Sequence, residues 1–448
     1  MKKFNKDKYL KKLKLKRFWQ NNSRYFYIGV PCILCGILGI YFAYSKFFVT
    51  QEDSVVQTKV GNFIYGDVII NNYVNGQYTV EAPAGGTGYK VDKIVCDNGA
   101  VGEWNAREWG PTISNVKKRS KCNIYFIDAE KVNIGNVAVP LDDYGLCPTV
   151  NADGTATVTE AEKQYGYLCK AKDAYGDSYY YRGNVTNNYV KFAGFYWRII
   201  RINGDGTVRA IYDGTSAHAN SDVSTDRQIG TTAFNSSYYD NAYVGYMYGK
   251  TRASTYAETH ANTNNSTIKT YLDTWYENNI KGTANEQYIA DNIFCNDRSL
   301  ASNNTGTGAG MSATIYRWDN NAGTTQNSKM MFTCPQKNDA FTVNDTIKGN
   351  GALTYGIGLL TADEVVLAGD LSSSNYNYYL YSGKDYWLAS PDFFFIVDTI
   401  TASGRFVNSR GNLSSNPVRS SFGARPVFNL ASDILKNGDG TSSNPYHA

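Results

Sequence analysis

The sequence predicts an α+β protein in which one transmembrane helix is followed by a small β-sandwich-like domain and then by a larger domain of mixed short strands with few helices. Three observations predict this class. An uncharged apolar run lies near the N-terminus, short strand patterns alternate with Gly, Asn and Pro turns along most of the chain, and only two stretches carry helix signals. The predicted divisions are a basic cytoplasmic tail at 1–24, a transmembrane signal-anchor at 25–48, a β domain at 49–128, a transition segment at 129–179 and a mixed domain at 180–448.

The N-terminus combines positive charge with the apolar run. Nine of the first 17 residues are Lys or Arg, and no charged side chain occurs in residues 26–44. The run has roughly the 20 residues that cross a bilayer, and the preceding charge favours a cytoplasmic N-terminus. These features predict a single-pass protein of the bacterial cell membrane whose C-terminal bulk is extracellular. A cleaved signal peptide that ends near Ala43-Tyr44-Ser45 is the alternative.

The charge balance argues against a nucleic-acid partner. The chain has 44 basic and 40 acidic residues, and without the N-terminal cluster the remainder is mildly acidic. Asn, Ser, Thr, Gly and Tyr are abundant, which suits turns and contact surfaces. The predicted partner is an extracellular protein or glycan.

The eight cysteines divide into two groups. Cys32 and Cys35 lie inside the apolar run, where cysteines are more often small apolar fillers than a metal or redox pair. The other six follow the run, and an even number on an exported side indicates disulfides, with zinc as the alternative. Only three histidines exist to support zinc, so disulfides are favoured. Nearest-neighbour pairing, one of fifteen possible connectivities, gives Cys96–Cys122, Cys147–Cys169 and Cys295–Cys334.

Local patterns place the elements inside each domain. In the β domain, strand patterns run over 62–70, 89–95 and 123–127, and Trp104 and Trp109 are core candidates; an immunoglobulin-like sandwich is consistent with this spacing. In the mixed domain, strand patterns at 189–202 and 207–212 flank a turn at 203–206, the apolar spacing at 267–279 predicts an amphipathic helix, and Thr361-Ala362-Asp363-Glu364 predicts a helix start.

The usual catalytic motifs do not occur in the sequence. There is no HExxH, GxSxG or P-loop pattern, and neighbouring carboxylates such as Asp142 and Asp143 are typical of solvated loops. The NGDGT runs at 203–207 and 437–441 do not continue with the ligand spacing of an EF-hand, so β-turns are favoured over calcium loops. The sequence therefore predicts a protein that is not an enzyme and has no metal or cofactor.

Five segments of the mixed domain carry a resemblance to known proteins. They are Phe195-Tyr196-Trp197-Arg198-Ile199-Ile200, the helix at 266–276, GIGLLTADE at 356–364, DYWLASP at 385–391 and GARPVFNL at 423–430. In this order they resemble an uncharacterised family of bacterial surface domains with a C-type-lectin-like fold, and also the variable proteins of diversity-generating retroelements. The resemblance covers about residue 180 to the end. It implies a lectin-like scaffold that displays a hypervariable ligand-binding face between the DYWLASP and GARPV segments. The scaffold residues are Trp197, Trp387, Pro391, Gly423, Arg425 and Pro426, and Arg425 is expected to reach buried carbonyls or a carboxylate.

The segment between these two motifs, 392–422, has two unusual features. Residues 388–435 contain no Lys, Glu, Gln, Met or Trp. The retroelement variable proteins that this domain resembles diversify by mutation of adenines in asparagine-type codons, and such codons do not give these five residues. Chance depletion is the alternative explanation. Residues 393–397 are consecutively apolar, which fits either a buried strand or an exposed contact patch. The predicted ligand-binding residues, with side chains expected to face solvent on one surface, are Asp392, Phe393, Phe394, Phe395, Asp398, Asn412, Asn416, Arg419 and Phe422.

These inferences predict a membrane-anchored, disulfide-bonded receptor or adhesin. One alternative is an enzyme related to the formylglycine-generating family, which shares the lectin-like fold. Its chemistry needs a reactive cysteine pair late in the domain, and no cysteine follows Cys334. The other alternative is a structural envelope protein without a specific ligand.

Overall fold

The computed structural model describes two regions with separate cores. A small region lies within 56–128, and a large region extends from residue 147 to the C-terminus. The described residues are 11–17, 56–57, 64–65, 68–83, 89–105, 110–128, 131–134, 137–140, 147–157, 166–308, 313–318, 329–369, 376–395 and 401–448.

The small region consists of two sheets, and a short hairpin follows it. Its strands are β1 Val56–Gln57, β2 Ile64–Tyr65, β3 Val68–Val74, β4 Gln77–Thr79, β5 Tyr89–Cys96, β6 Val101–Asn105, β7 Gly110–Ser114 and β8 Ser120–Asp128, and the hairpin is β9 Lys131–Ile134 with β10 Val137–Pro140. The larger sheet has the order β2-β3-β8-β5 with β4 beside β3, and the smaller sheet has the order β1-β7-β6. Strands β3 and β8 run parallel, whereas β3 and β4 form a hairpin.

Alternating residues of the larger sheet form the core of the small region, because successive side chains of a strand point to opposite faces. The fully buried members of this core are Val68, Ile70, Ile124 and Phe126. Trp104 of the smaller sheet packs edge-on against Phe126, with ring centroids 5.4 Å apart. The prediction that Trp104 belongs to the core is confirmed, and Trp109 lies outside the described residues.

The large region is built on two six-stranded sheets. Its strands are β11 Thr149–Val150, β12 Ala156–Thr157, β13 Gly166–Asp173, β14 Gly176–Gly183, β15 Tyr189–Phe192, β16 Phe195–Ile202, β17 Val208–Gly214, β18 Thr231–Ala233, β19 Met247–Tyr248, β20 Asn264–Asn265, β21 Phe294–Cys295, β22 Thr314–Ile315, β23 Lys329–Met330, β24 Ala340–Phe341, β25 Tyr386–Phe395, β26 Thr401–Val407, β27 Leu413–Pro417, β28 Ser421–Gly423 and β29 Val427–Leu430. The first sheet has the order β13-β14-β16-β17-β29 with β15 beside β16. The second has the order β18-β28-β25-β26-β27 with β22 beside β25. The segment predicted as a transition, 129–179, thus supplies β13 and the start of β14 to the first sheet.

The helices are short. They are α1 at residues 11–17, α2 Tyr256–Thr259, α3 Thr267–Asn279 and α4 Ala362–Ala368. The predicted helix at 267–279 is confirmed as α3, which buries Ile268, Leu272 and Tyr276 on one side. The predicted helix start is confirmed as well, because the Thr361 side chain caps α4 in a capping box with Glu364.

The predicted α+β class is wrong, because the chain is mostly β-sheet, with 39% strand against 14% helix. The sequence has many β-branched and aromatic residues between Gly and Asn turns, a composition that favours strands. The two helix signals are correct, but each gives a helix of at most 13 residues.

The prediction of a transmembrane helix and of a single-pass location in the membrane is corrected. None of the helices in the described part of the chain is long and apolar enough to cross a membrane. The longest, α3, has 13 residues and spans roughly 20 Å, whereas a bilayer crossing needs roughly 30 Å. The segment 25–48, on which the prediction rested, lies outside the described residues.

The three predicted disulfides are confirmed. The bonds join Cys96 to Cys122, Cys147 to Cys169 and Cys295 to Cys334. The first pair faces across β5 and β8 as direct strand partners. The bonded cysteines are 26, 22 and 39 residues apart in the chain.

Candidate functional site

The predicted binding segment folds into strands β25, β26, β27 and β28 of the second sheet, but its side chains divide between the two sides of that sheet. Phe393 lies opposite Ser403, and Phe394 lies opposite Ala402. Direct partners share a side, and neighbouring residues of a strand do not. Phe393 and Phe394 therefore point in opposite directions.

Two of the predicted binding residues are buried, which corrects the expectation that they face solvent. Phe394 is completely buried on one side of the sheet. Asp392 is 1% exposed, and its carboxylate forms an ion pair of 2.5 Å with the buried guanidinium of Arg405. Arg405 also donates to the backbone carbonyl of Trp318. Asp392 and Phe394 therefore serve packing and charge pairing inside the fold.

Phe393 and Phe395 are half-buried and lie together on the other side. Their ring centroids are 4.4 Å apart, and Ile315 of β22 is the direct partner of Phe393. The five-residue apolar run is thus neither wholly core nor wholly surface. Asp398 lies outside the described residues, as do Ile396 and Val397.

The other predicted residues follow β26 in the chain. Asn416 lies opposite Gly404 and therefore on the same side of the sheet as Phe394. Arg419 is exposed, and Asn412 and Phe422 are half-buried.

Phe422 is a packing residue as much as a surface one. Its ring lies 4.4 Å from that of Phe406 and 4.9 Å from that of Trp387. These contacts fix one edge of the segment to the core.

A row of four tyrosines lies beside this segment, and we call it the tyrosine ridge: Tyr238, Tyr239, Tyr243 and Tyr248. Neighbouring rings meet edge to face at centroid distances of 6.0, 5.6 and 5.3 Å. Tyr239 is 48% exposed, and Tyr243 is buried beneath it. Burial raises the pKa of Tyr243 to about 12, so its hydroxyl stays protonated at neutral pH.

Arg419 joins the binding segment to the tyrosine ridge. Its guanidinium lies 4.2 Å from the centre of the Tyr238 ring, in cation–π geometry. The Tyr238 carbonyl accepts a hydrogen bond of 2.7 Å from the backbone N–H of Ala402 in β26. The Ser420 hydroxyl, beside Arg419, donates to the side-chain oxygen of Asn416 at 2.9 Å. The segment and the ridge thus form one continuous surface.

Sequence reasoning missed the tyrosine ridge. Its signal is visible in the stretch 238–248, where five of eleven residues are tyrosine. The stretch lies far from 392–422 in the chain, and tertiary contacts such as the bond from Ala402 to Tyr238 bring the two together.

The residues named as scaffold in the sequence are buried in the large region. Trp197 and Trp387 are each 1% exposed or less, and their indole N–H groups donate to the carbonyls of Phe192 and Thr232. Pro391 and Pro426 are also buried.

Arg425 reaches back to the backbone, as predicted. It donates to the carbonyls of Tyr212 and Leu380 and lies 3.3 Å from the Asp213 carboxylate. Gly423 is close to Gln228, whose side-chain oxygen would lie 1.9 Å from a Cβ at this position. A side chain there would displace the end of Gln228 and would still lie 2.9 Å from the Asp385 carbonyl.

A small cleft beside Cys295 is the second candidate for a functional site, besides the surface formed by the binding segment and the tyrosine ridge. Arg201 and Arg209 both lie 2.5 Å from the Glu364 carboxylate on the cleft wall. Burial alone raises the pKa of Glu364, but Arg209 and Arg201 more than offset it, and the pKa is lowered overall. The Glu364 carboxylate is therefore ionised, and its single negative charge balances only part of the positive charge of Arg201 and Arg209.

The rest of the cleft is also occupied by internal ion pairs. Arg317 lies 2.5 Å from Asp297 and 2.6 Å from Asp363. The space for the centres of water molecules is about 20 Å³, which holds one or two waters. The cleft is therefore a structural charge network with no room for an organic ligand. No group of three or more potential metal ligands occurs among the described residues.

Comparison with known proteins assigns the chain to no family. No protein-family model, no curated protein and no solved structure matches the chain. The resemblance to lectin-like variable proteins therefore rests on the five sequence segments alone.

Proposed function

We propose that the chain is a ligand-binding protein of the receptor or adhesin type, whose contact surface combines the segment 412–422 with the tyrosine ridge. The observation that carries the proposal is the stacking of Arg419 on Tyr238 beside the exposed Tyr239. The ligand is a protein or a glycan.

The chemistry of this surface supports binding better than catalysis. Tyrosine and arginine are the residues most enriched at energetically important contact positions, because they offer large area and several hydrogen bonds at low entropic cost. The ridge is rigid in advance of binding, since each ring contacts the next and Tyr238 is bonded to β26. Asn416 and Ser420 add amide and hydroxyl groups at its edge. These groups suit hydrogen bonds to backbone amides or to sugar hydroxyls.

The proposal is tested on an array of defined oligosaccharides and on a display library of random peptides, with the full chain as the probe. Tyr239→Ala and Arg419→Ala are each expected to weaken the selected interaction at least tenfold, because single contact residues at the centre of an interface carry about 2 kcal/mol or more. The melting temperature should change little, since both side chains are substantially exposed.

Tyr376→Ala is the matched control. Tyr376 is 46% exposed and also contacts a neighbouring tyrosine ring, but it belongs neither to the tyrosine ridge nor to segment 412–422. Binding that survives both ridge-side substitutions, or that Tyr376→Ala reduces equally, would contradict the proposal. Selection of saccharides alone or of peptides alone decides the ligand class.

The hypervariability that the resemblance implies is tested separately by sequencing this gene across a bacterial population. If the segment diversifies, variation should concentrate at the exposed and half-exposed positions Asn412, Asn416 and Arg419. It should spare Phe394 and Asp392, because both are buried. Equal variation at buried and exposed positions, or none at all, would contradict diversification for binding.

A further inference from the structure

The larger sheet of the small region has one side that faces the core and one that faces solvent. Strand pairing places Tyr73 beside Tyr125, Lys93 beside Tyr125 and Tyr78 beside Tyr73. Direct partners share a side, and this side is opposite the buried Phe126. We call it the tyrosine–lysine face, and its members are Ile69, Asn71, Tyr73, Tyr78, Lys93, Val95, Lys121, Asn123 and Tyr125.

This face is open and unusually apolar for a solvated sheet surface. Tyr78 is 54% exposed, Val95 is 48% exposed and Ile69 is 38% exposed. A sheet with one side in water is normally polar on that side, so an exposed row of aromatic and aliphatic residues marks a contact surface.

Two tyrosines of the face, Tyr73 and Tyr125, are packed with their ring planes against each other. Tyr73 and Tyr125 stack at a centroid distance of 5.0 Å with an interplanar angle of 17°. The ammonium group of Lys93 lies 5.3 Å from the centre of the Tyr125 ring, and Tyr78 meets Tyr73 edge to face. Rings stacked between neighbouring strands stand upright on the sheet and turn their edges outward. Tyr73 and Tyr125 therefore offer ring edges to a ligand, whereas Tyr78 is 54% exposed at the margin of the face.

Two asparagines, Asn71 and Asn123, lie next to the tyrosines on the same face. The side-chain N–H of Asn71 donates to the side-chain oxygen of Asn123 at 2.8 Å across the parallel strand pair. This bond fixes both amides in one orientation and leaves their remaining donor and acceptor groups on the half-exposed face.

Positive charge gathers at one end of the face. Lys117, Lys118 and Arg119 are consecutive and exposed in the turn that leads into β8, and Lys121 follows on the face itself. Arg119 has a left-handed backbone with φ 64°, and the Ser120 hydroxyl closes the turn on the Lys117 carbonyl at 2.8 Å. The turn thus fixes the backbone from which the three cationic side chains extend. A left-handed non-glycine residue of this kind is often found at functional sites.

Two nearby acids do not neutralise this charge. Asp92 lies 4.0 Å from Lys93, but both side chains are about half exposed and such pairs are weak. Asp97 accepts a hydrogen bond from the backbone N–H of Lys121 and not from its side chain. The turn and the face therefore keep a local excess of positive charge.

We propose that the tyrosine–lysine face binds an anionic polysaccharide. Lysine and arginine attract carboxylate or phosphate groups along the polymer, and the asparagine amides and tyrosine edges suit hydrogen bonds with sugar hydroxyls. A single-stranded nucleic acid fits less well, because its bases stack on open aromatic planes and the planes of Tyr73 and Tyr125 lie against each other. The site lies in the small region and is independent of the tyrosine ridge.

The test is equilibrium binding of the full chain to polygalacturonate, which carries carboxylates, and to a phosphate-bearing polysaccharide, with neutral dextran and oligo-dT for comparison. The double substitution Lys93→Gln and Lys121→Gln is expected to raise the Kd for the preferred polyanion about tenfold, because each exposed cation contributes roughly a factor of three. Affinity should also fall as salt is added. The preferred anion identifies whether carboxylate or phosphate is the recognised group.

A second pair in the turn, Lys118→Gln and Arg119→Gln, keeps the test valid if the first pair disturbs the sheet. The matched control is Lys250→Gln with Lys337→Gln, two exposed lysines of the large region, which should leave the Kd unchanged. The proposal is overturned if neither polyanion binds at low salt, if the control pair weakens binding as much as the face pair, or if oligo-dT binds more tightly than both polysaccharides. Retained binding by both face variants would overturn it as well.

Discussion

The small region buries a few apolar side chains beneath regular strands, whereas the large region buries many arginines among irregular segments. In the small region the two core clusters contain seven buried residues, and the backbone is satisfied mainly by strand pairing. In the large region six arginines are each less than 2% exposed: Arg182, Arg198, Arg209, Arg227, Arg298 and Arg425.

The buried arginines serve as internal partners for loop carbonyls. Arg227 donates to the carbonyls of Tyr379 and Tyr381, and Arg182 donates to two carbonyls at the end of α4. A buried carbonyl without a partner is costly, so a long segment outside sheets can be buried only if donors reach it. The planar guanidinium supplies up to five donors from one side chain. The contrast shows how a chain rich in loops still forms a large, dry core.

The largest expected effect comes from removing the acid that balances two of these arginines. Asp213 is fully buried, 2.7 Å from Arg227 and 3.3 Å from Arg425. Asp213→Ala should lower the free energy of unfolding by about 3–5 kcal/mol, because it leaves two buried cations with less compensation. Urea unfolding measures this. Asp177→Ala is the control, since its pair with Lys170 is about half exposed and should contribute at most about 1 kcal/mol. Similar losses for both would remove the distinction between buried and surface pairs.

The next effect separates neighbours within one strand of the large region. Phe394→Ala should cost about 3–5 kcal/mol, because it opens a cavity in the core. Phe393→Ala and Phe395→Ala should cost clearly less, since both rings are half-buried on the opposite side. Thermal melts of the three variants check this alternation. Equal losses would mean that the run is uniformly core.

Removing one disulfide tests how far the small region depends on a covalent link. The double substitution Cys96→Ser and Cys122→Ser should cost about 2–5 kcal/mol. A small core gives a small free energy of unfolding, so without the disulfide the small region should unfold at a lower temperature than the large region. Calorimetry should then show two transitions. A single transition at the original temperature would show that the strands alone suffice.

The smallest effect concerns acid stability in the large region. The pKa of Asp226 is lowered: burial raises it, but hydrogen bonds from His218 and Thr215 more than offset this. The bonded carboxylate stabilises the fold above its unfolded pKa of about 4, and that contribution is lost as the pH falls through the lower folded value. Asp226→Asn should therefore flatten the decline in melting temperature below about pH 4. If the melting temperature of the variant falls with pH as steeply as that of the unchanged protein, the role of Asp226 is contradicted.

Comparing the chain with its structure shows which features are local. The pairing of six cysteines, the helix at 267–279 and the cap at Thr361 were predicted from the sequence and are confirmed. Each depends on residues close together in the chain, through helical periodicity, capping or a short loop. The α+β class and the membrane-spanning helix were wrong.

The positions of turns, caps, cross-links and the boundary prolines of the binding segment can therefore be predicted from local sequence. The side of the sheet that each residue faces depends on how the strands pair in the folded chain. Irregular pairing near Pro391 shifts the register between β25 and β26, and a shift of one residue exchanges the two faces of a strand. The tertiary fold likewise places the tyrosine ridge beside Arg419 and the upright tyrosines beside Lys93, because both arrangements join residues that are distant in the chain.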